Sequence, residues 1–474
     1  MKKYLVLLIL SINVFACYSQ KTDTLKLEHI LKFYYLQSNE AQKAGISKEI
    51  GKIDWENFNL SKLPVISFNI SPINFSKSIV SLQDPISGNY NYTSNYVNNS
   101  STGINIEIPV NYTGGKLNLN SNLNMMREFS LNKNSFRANL LEISYSQFLF
   151  GGRKNYEFEK KISELSFKNL DNKTKQKHLE IQRQSVELYL DLLSKDIELK
   201  NSQKNKLYSD TVLHLSTIRY TNGEITETEL TQVEVQQKQQ LLMVEYSTIT
   251  RSKSLRKLIT FLNLEQKEYI VVIPQFQIEN NIDFNDALIA LNRNNPFFLE
   301  KEIRNTEAEQ RLYNANTKQI FNFEINMSYG LNQYGEFLYK AYSNPSLQQA
   351  FTIGITIPII DWGKSRNLRR SARLQKMLTK FNIVNEEKQM VESLYAAVEE
   401  YNYACSISEI SFEKLQLTEK QYQLMIKNYE LGQNTFYDLM IANSQLLKSQ
   451  AEYLKNLSEV WNRYYQIRSI ILTE

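Results

Sequence analysis

Apolar and polar residues alternate one for one in several stretches of this chain. Ile66, Phe68 and Ile70 are separated by Ser67 and Asn69; Leu141, Ile143 and Tyr145 by Glu142 and Ser144. Phe323, Ile325, Met327, Tyr329 and Leu331 alternate with Glu324, Asn326, Ser328 and Gly330, and Phe351 to Ile359 follow the same rule. A period of two predicts β-strands with two unlike faces. Such strands suit a half-buried sheet in a soluble domain or a strand crossing a membrane. Elsewhere the period is helical. Residues 153–221 and 364–430 contain neither proline nor glycine, so each predicts one unbroken helix of about 100 Å. Globular helices rarely approach that length. They end at Tyr220-Thr-Asn-Gly223-Glu-Ile-Thr226 and Tyr429-Glu-Leu-Gly432-Gln-Asn-Thr435. Glycine closing a helix, followed by threonine opening the next, predicts a helical hairpin turn. The returning helices run to about 263 and 472. In the last one, apolar pairs recur every seven residues at Leu439-Met440, Leu446-Leu447, Tyr453-Leu454 and Val460-Trp461. That spacing predicts coiled-coil-like packing, with a stripe wide enough for two neighbours.

The pattern occurs twice. Leu25-Lys-Leu-Glu-His-Ile-Leu31 and Ile282-Asp-Phe-Asn-Asp-Ala-Leu288 share their apolar spacing, and each opens about 35 residues of helical pattern. The second copy carries Asn294-Asn295-Pro296, where proline should restart the helix; the first has Ser38-Asn39. Strand pairs follow, joined by polar and aromatic stretches over 84–102 and 333–348. Each pair leaves through glycine, at Gln147-Phe-Leu-Phe-Gly-Gly152 and at Pro358-Ile-Ile-Asp-Trp-Gly363. The first copy holds two further alternating runs, marked by Ile104, Ile106 and Ile108 and by Leu117, Leu119 and Leu123, with Gly114-Gly115 as their turn. This additional hairpin, about 103–125, either extends above a membrane or lies in a longer surface loop.

Residues 1–20 change the compartment. Lys2 and Lys3 precede an apolar run from Tyr4 to Leu10, and small residues follow at Ala16, Cys17 and Ser19. These features predict a secretory signal peptide. Cleavage before Gln20 competes with a lipobox reading that leaves Cys17 as a lipidated first residue. No later run is long and apolar enough for a transmembrane helix. In 474 residues there are 14 glycines, 8 prolines, 2 cysteines and 3 histidines. That composition excludes a disulfide framework and a zinc cluster. A net charge of +5, spread along the chain, does not predict nucleic-acid binding.

The order helix, strands, very long helix, glycine turn, helix, twice over, resembles the TolC-like outer-membrane efflux proteins. Asn294-Asn295-Pro296, the Pro358 to Gly363 exit and Tyr429-x-x-Gly432-x-x-Thr435-x-x-Asp438-Leu439 carry the resemblance, and Tyr220-x-x-Gly223-x-x-Thr226-x-x-Glu229-Leu230 repeats the last of these. It covers about residues 25–472. The implied organisation is a signal peptide (1–20), a first repeat (21–265; strands 64–150, hairpin 153–263), a linker (266–281) and a second repeat (282–474; strands 321–361, hairpin 364–472). The implied fold class is mainly α with membrane β-barrel strands. As a homotrimer, each chain would give four strands to a shared 12-stranded barrel in outer-membrane lipid and its helices to a periplasmic α-barrel. The resemblance further implies docking of a periplasmic adaptor, coupled to an inner-membrane pump, at tips containing Tyr220, Gly223, Thr226, Tyr429, Gly432 and Thr435. Glu229 and Asp438 are the aperture candidates, although Ile441 stands where a second acid would complete a double ring. Ordinary helix-start acids explain Glu229 and Asp438 equally well. Gly152 and Gly363 mark the strand-to-helix exits.

No G-x-S-x-G, Walker A, H-E-x-x-H or C-x-x-C motif is present, so neither catalysis nor a cofactor is expected. Cys405 is expected to be a buried small hydrophobe. The leading expectation is a passive exit duct of a tripartite efflux or type I secretion system. The alternative is a soluble periplasmic coiled-coil scaffold or adaptor.

Overall fold

A computed structural model of the chain describes residues 23–472, apart from 84–87, 89, 131, 149–150, 273–280, 318–321, 358, 431–432 and 434–435. Cys17, Pro358, Gly432 and Thr435 therefore lie outside the described residues. The chain forms two compact units, each drawing on both halves of the sequence. One holds Glu49–Leu170 and Pro296–Glu387; the other holds the residues up to Lys48, Asp171–Asn295 and Lys388 onward.

The first unit is organised by one antiparallel sheet. Its strands are β2 (Val65–Ser71), β3 (Phe75–Gln83), β4 (Tyr90–Val110), β5 (Gly115–Glu128), β6 (Lys133–Phe148), β8 (Asn322–Gly335) and β9 (Ser346–Thr356). They lie in the order β2-β4-β5-β6-β8-β9, with β3 also on β4. Strands β2 and β3 share one edge of β4: Val65–Ser71 pair with Ser101–Glu107, and Phe75–Gln83 with Tyr90–Asn98. They are one strand path, interrupted where Pro72 cannot donate to a ladder. Ser100 Oγ donates to the Pro72 carbonyl (2.7 Å), which stitches the interruption.

Here the structure departs from expectation. The additional hairpin is β4–β5, and it is neither an extension nor a surface loop. It lies inside the sheet, paired with β2 on one side and β6 on the other. The stretch 90–102, expected as loop, is the first half of β4. Four helical segments flank the sheet in this unit. Helix α2 (Asn39–Leu60) leads into it, and α6 (Phe297–Thr317) precedes β8. Helices α3 (Gly152–Thr221) and α7 (Lys364–Glu430) leave it. Arg304 grips Glu386 through two nitrogens (3.0 and 2.7 Å), and Lys301 reaches Glu387 (3.0 Å), which fixes α6 to α7.

Helices α3 and α7 have 70 and 67 residues, about 105 and 100 Å of helix at 1.5 Å per residue. Each continues into the second unit. There α4 (Glu227–Leu262) and α8 (Phe436–Ile471) return, joined by α1 (Leu27–Lys32), α5 (Phe284–Asn294) and a parallel pair of short strands, β1 (Asp23–Leu25) and β7 (Tyr269–Val271). The apolar stripe of α8 is buried at Leu446, Leu454, Val460 and Trp461, as its seven-residue spacing predicts.

The core gathers Leu25, Leu27 and Ile30, the α3 residues Val186 to Leu193, the end of α4 and Trp461 with Tyr465 of α8. Tyr189 sits at its centre, fully buried, donating to the backbone carbonyls of Leu25 and Val272. Burial pushes its phenol up to about 12, so it stays neutral and serves as a tie between the two short strands. Arg251 makes a second tie, bonding Asp196 of α3 (2.8 Å), Glu268 (2.9 Å) and the Tyr269 carbonyl (3.2 Å). The strand at 269–271 thus lies within the stretch read as a linker.

The Asn294-Asn295-Pro296 break has a physical use. Asn295 leaves the helical conformation (ψ 130°), as a residue before proline must. Its side chain donates to the Ile470 carbonyl (2.7 Å), and that of Asn294 to Ile471 (3.2 Å). These are orphan carbonyls at the C-terminus of α8. At the corresponding break in the first copy, Ser38 caps the start of α2, its Oγ accepting the Ala41 amide (3.2 Å).

Candidate functional site

Three places carry the candidate function: the faces of the large sheet, the strand-to-helix exits and the helical tips.

Directly opposed residues in a ladder share a face, so the registers sort every strand. One face carries Ile66, Phe68 and Ile70 of β2; Ile104, Ile106 and Ile108 of β4; and Leu117, Leu119 and Leu123 of β5. It continues through Leu141, Ile143 and Tyr145 of β6, then Ile325, Met327, Tyr329 and Leu331 of β8, and ends on Leu347, Phe351, Ile353 and Ile355 of β9. Thr102, Ser121, Gln147 and Gln349 are polar residues on this face. Most of the β2, β8 and β9 members are exposed, with Ile66 at 71% and Phe351 at 63%. The other face carries Ser67 and Asn69, Asn105 and Glu107, Asn118 and Asn120, Glu142 and Ser144, Glu324 and Asn326, and Thr352.

On β8 the apolar band runs from Phe323 to Leu331. Eight rises of about 3.4 Å give about 27 Å along the strand, or about 21 Å along an axis tilted 40° from it. That is near the ~25 Å apolar band of membrane barrels. Beyond one end of the band stand exposed Phe75, Phe129, Phe337 and Tyr339; beyond the other, Tyr112 and Trp362. Aromatic residues at both limits are what a membrane girdle requires.

At the first exit the chain turns at Gly151 (φ +103°), and α3 begins at Gly152. The β4–β5 turn packs directly against this point. A β-carbon on Gly114 would lie 2.2 Å from the Gly152 carbonyl carbon, so neither glycine has room for a side chain. Thr113 and Tyr145 hydroxyls bond at 2.8 Å, Gln147 donates to the Thr113 carbonyl (2.8 Å), and Arg153 lies over the Tyr112 ring (4.9 Å).

At the second exit Asp361 caps α7, accepting from the Ser365 amide (2.9 Å) and the Gly363 amide (3.0 Å). Hydrogen bonds from Ser365 and Gly363 hold its carboxyl below the usual range. Gly363 has φ +84° and Trp362 φ +52°. The strained Trp362 is 94% exposed, beside exposed Ile359 and Ile360, so no packing among the described residues accounts for its conformation.

The first tip is a complete capping device. Gly223 (φ +71°) donates to the Tyr220 carbonyl (3.0 Å) and Glu224 to Arg219 (2.8 Å). This is the Schellman closure, which satisfies the last carbonyls of α3. Three residues on, Thr226 opens α4: its Oγ1 accepts the Glu229 amide (3.3 Å), and the Glu229 carboxylate accepts the Thr226 amide (2.8 Å) and hydroxyl (3.0 Å). Glu229 thus completes a capping box. The backbone and side chain of Thr226 hold its pKa below the ordinary value. Tyr220 is exposed.

The second tip repeats one element visibly. Gln433 donates to the Asn428 carbonyl (2.9 Å), the counterpart of the Glu224–Arg219 bond. Tyr429 lies in the last turn of α7, and Asp438 lies half-buried in the first turn of α8. Cys405 lies half-buried on α7, and burial raises its pKa.

Among the described residues no helix is long and apolar enough to cross a membrane. The chain is similar to the CmeC outer membrane channel of Campylobacter jejuni (14% identity over 94% of this chain and 85% of that one, TM-score 0.66). It is similar to the MtrE outer membrane channel of Neisseria gonorrhoeae in its open state (13%, 94% and 88%, TM-score 0.63) and to the outer membrane protein VceC of Vibrio cholerae (12%, 94% and 95%, TM-score 0.65). No family model and no curated protein sequence matches the chain. Its fold is that of the TolC-like outer-membrane channels.

Proposed function

We propose that this chain is the outer-membrane exit duct of a tripartite efflux or type I secretion system, conducting substrates passively. The observation that carries the reading is the two-faced sheet. An apolar band that crosses every strand, exposed on β2, β8 and β9 and half-buried on β5, opposes an asparagine-, serine- and glutamate-rich face, which suits lipid outside and water inside. In a soluble scaffold that band would be an apolar patch far larger than monomers expose.

In this reading the chain works as a homotrimer, with the helices in the periplasm. The tips at Tyr220, Gly223, Thr226, Tyr429, Gly432 and Thr435 meet a periplasmic adaptor that connects to an inner-membrane pump. The duct makes and breaks no bonds. Glu229 and Asp438, one on each tip, are the aperture candidates; the Glu229 carboxylate is engaged by Thr226 within its own cap. Conductance in planar bilayers tests this: Asp438→Ala should raise it and change its ion selectivity, and unchanged values return Asp438 to a helix-start role.

Fractionation tests the function itself. The full-length protein should remain with outer membranes through a high-salt wash, and cells lacking it should lose export. Release by salt into the soluble fraction would favour the scaffold.

A further inference from the structure

We propose that each chain contributes six membrane-crossing strand positions rather than four, so that its assembly closes a barrel half again as large as the resemblance implies. The inference rests on the duct reading above, and four observations carry it.

First, β4 and β5 are full members of the sheet. Their ladder runs from Val97↔Glu128 to Val110↔Gly115, and β5 pairs with β6 from Lys116↔Ser146 to Glu128↔Lys133. Second, they obey the same two-face rule as the rest. Ile104, Ile106, Ile108, Leu117 and Leu119 continue the apolar band, while Asn105, Glu107, Asn118 and Asn120 continue the polar one. A hairpin standing in water outside the membrane would have no use for that dyad. Third, the β4–β5 turn is seated against Gly152, where β6 becomes α3. The hairpin therefore crosses the whole height of the sheet. It adds two strands without adding a helix, because its turn closes on itself at the exit.

The fourth observation is the pair of free edges. Counting β2 and β3 as one path, the positions are β2/β3, β4, β5, β6, β8 and β9. All pairs are antiparallel, so the first and last positions run in opposite directions. Neither the outer edge of β2/β3 nor that of β9 has a strand partner among the described residues. Open edges cannot face lipid. A second copy of this chain is the occupant that fits: its β2/β3 edge meets β9 antiparallel, with the same face outward. Repeating that head-to-tail contact makes a ring. Three copies give 18 strands. With strands about 4.8 Å apart and tilted about 40°, the barrel would be about 36 Å across at the backbone, against about 24 Å for 12 strands. The consequence is a wider exit pore over the same number of long helices.

Single cysteines in the full-length protein, in outer membranes, test the crossing. Leu119→Cys and Asn120→Cys probe β5; Ile353→Cys and Thr352→Cys probe β9, which crosses in either count. An impermeant maleimide, read by peptide mapping, should label positions 120 and 352 and spare 119 and 353. Alternation at β9 with equal labelling at 119 and 120 would overturn the six-strand count while sparing the duct. Equal labelling at all four positions would overturn both. Electron microscopy of the detergent-purified assembly, with native mass spectrometry for copy number, gives strands per copy: six supports the proposal and four overturns it.

Discussion

At Gly223 the constraint is purely conformational. The backbone has φ +71°, and a β-carbon there would meet nothing within 4 Å. A β-branched side chain would be strained in that conformation, whereas asparagine tolerates it. Gly223→Asn should therefore keep the first tip intact. Gly223→Val should fray the last turn of α3, at a cost of about 1–2 kcal/mol, while the large sheet keeps its stability. Hydrogen exchange at Asn222 to Glu224 distinguishes the two variants. Glu229 adds a pH dependence of known sign. Its folded pKa lies below the ordinary carboxylate value, so its contribution is full above the unfolded pKa of about 4.3 and disappears as pH falls through the folded value. Acid-induced loosening of α4's first turn is expected in the wild type. It should be absent in Glu229→Gln, whose amide still completes the box without titrating; identical acid profiles would remove Glu229 from the cap.

Among the elements, the β4–β5 hairpin depends on two glycines in contact. Gly114→Ala places a carbon about where the Gly152 backbone already lies, so the turn must lift from the start of α3. Thermal stability should fall by several degrees in the purified protein, and Thr113→Ala at the same turn should cost less. Equal stability of Gly114→Ala and wild type would show that the turn is not seated. How far these elements were legible beforehand follows from the range of the interactions that define them. The long helices were plain because 153–221 and 364–430 lack glycine and proline. The tips were plain because Gly223 and Thr226 are local signals. Strand existence was visible in the alternation at Ile104 to Ile108 and Leu117 to Leu123, but not its neighbours, since pairing with β2 and β6 is long-range. The stretch 90–102 looked like loop because of its Asn, Ser and Tyr residues, a composition that a polar barrel face shares with turns. The ties made by Tyr189 and Arg251 left no local trace; the break at Asn294-Asn295-Pro296 was legible, but not its bonds to the α8 carbonyls; and β7, at three residues, is too short for a period to show.

For the whole molecule, the account requires that one chain present different parts to different compartments. The turn between β8 and β9 includes a short 3-10 helix, Leu338–Tyr342, capped by Ser343; in the duct reading it faces the cell exterior. In the same reading the tip after α3 faces the periplasm, because α3 leaves the sheet at the end opposite that turn. Assemblies should also survive extraction in mild detergent, because separated chains would leave both sheet edges open. The most direct measurement is paired labelling of intact cells. Cysteines replacing Ser343 and Asn222, both exposed, are challenged with an impermeant maleimide before and after the outer membrane is permeabilised. The account predicts reaction at position 343 on intact cells and at position 222 only after permeabilisation. Reaction of both positions only after permeabilisation would contradict it.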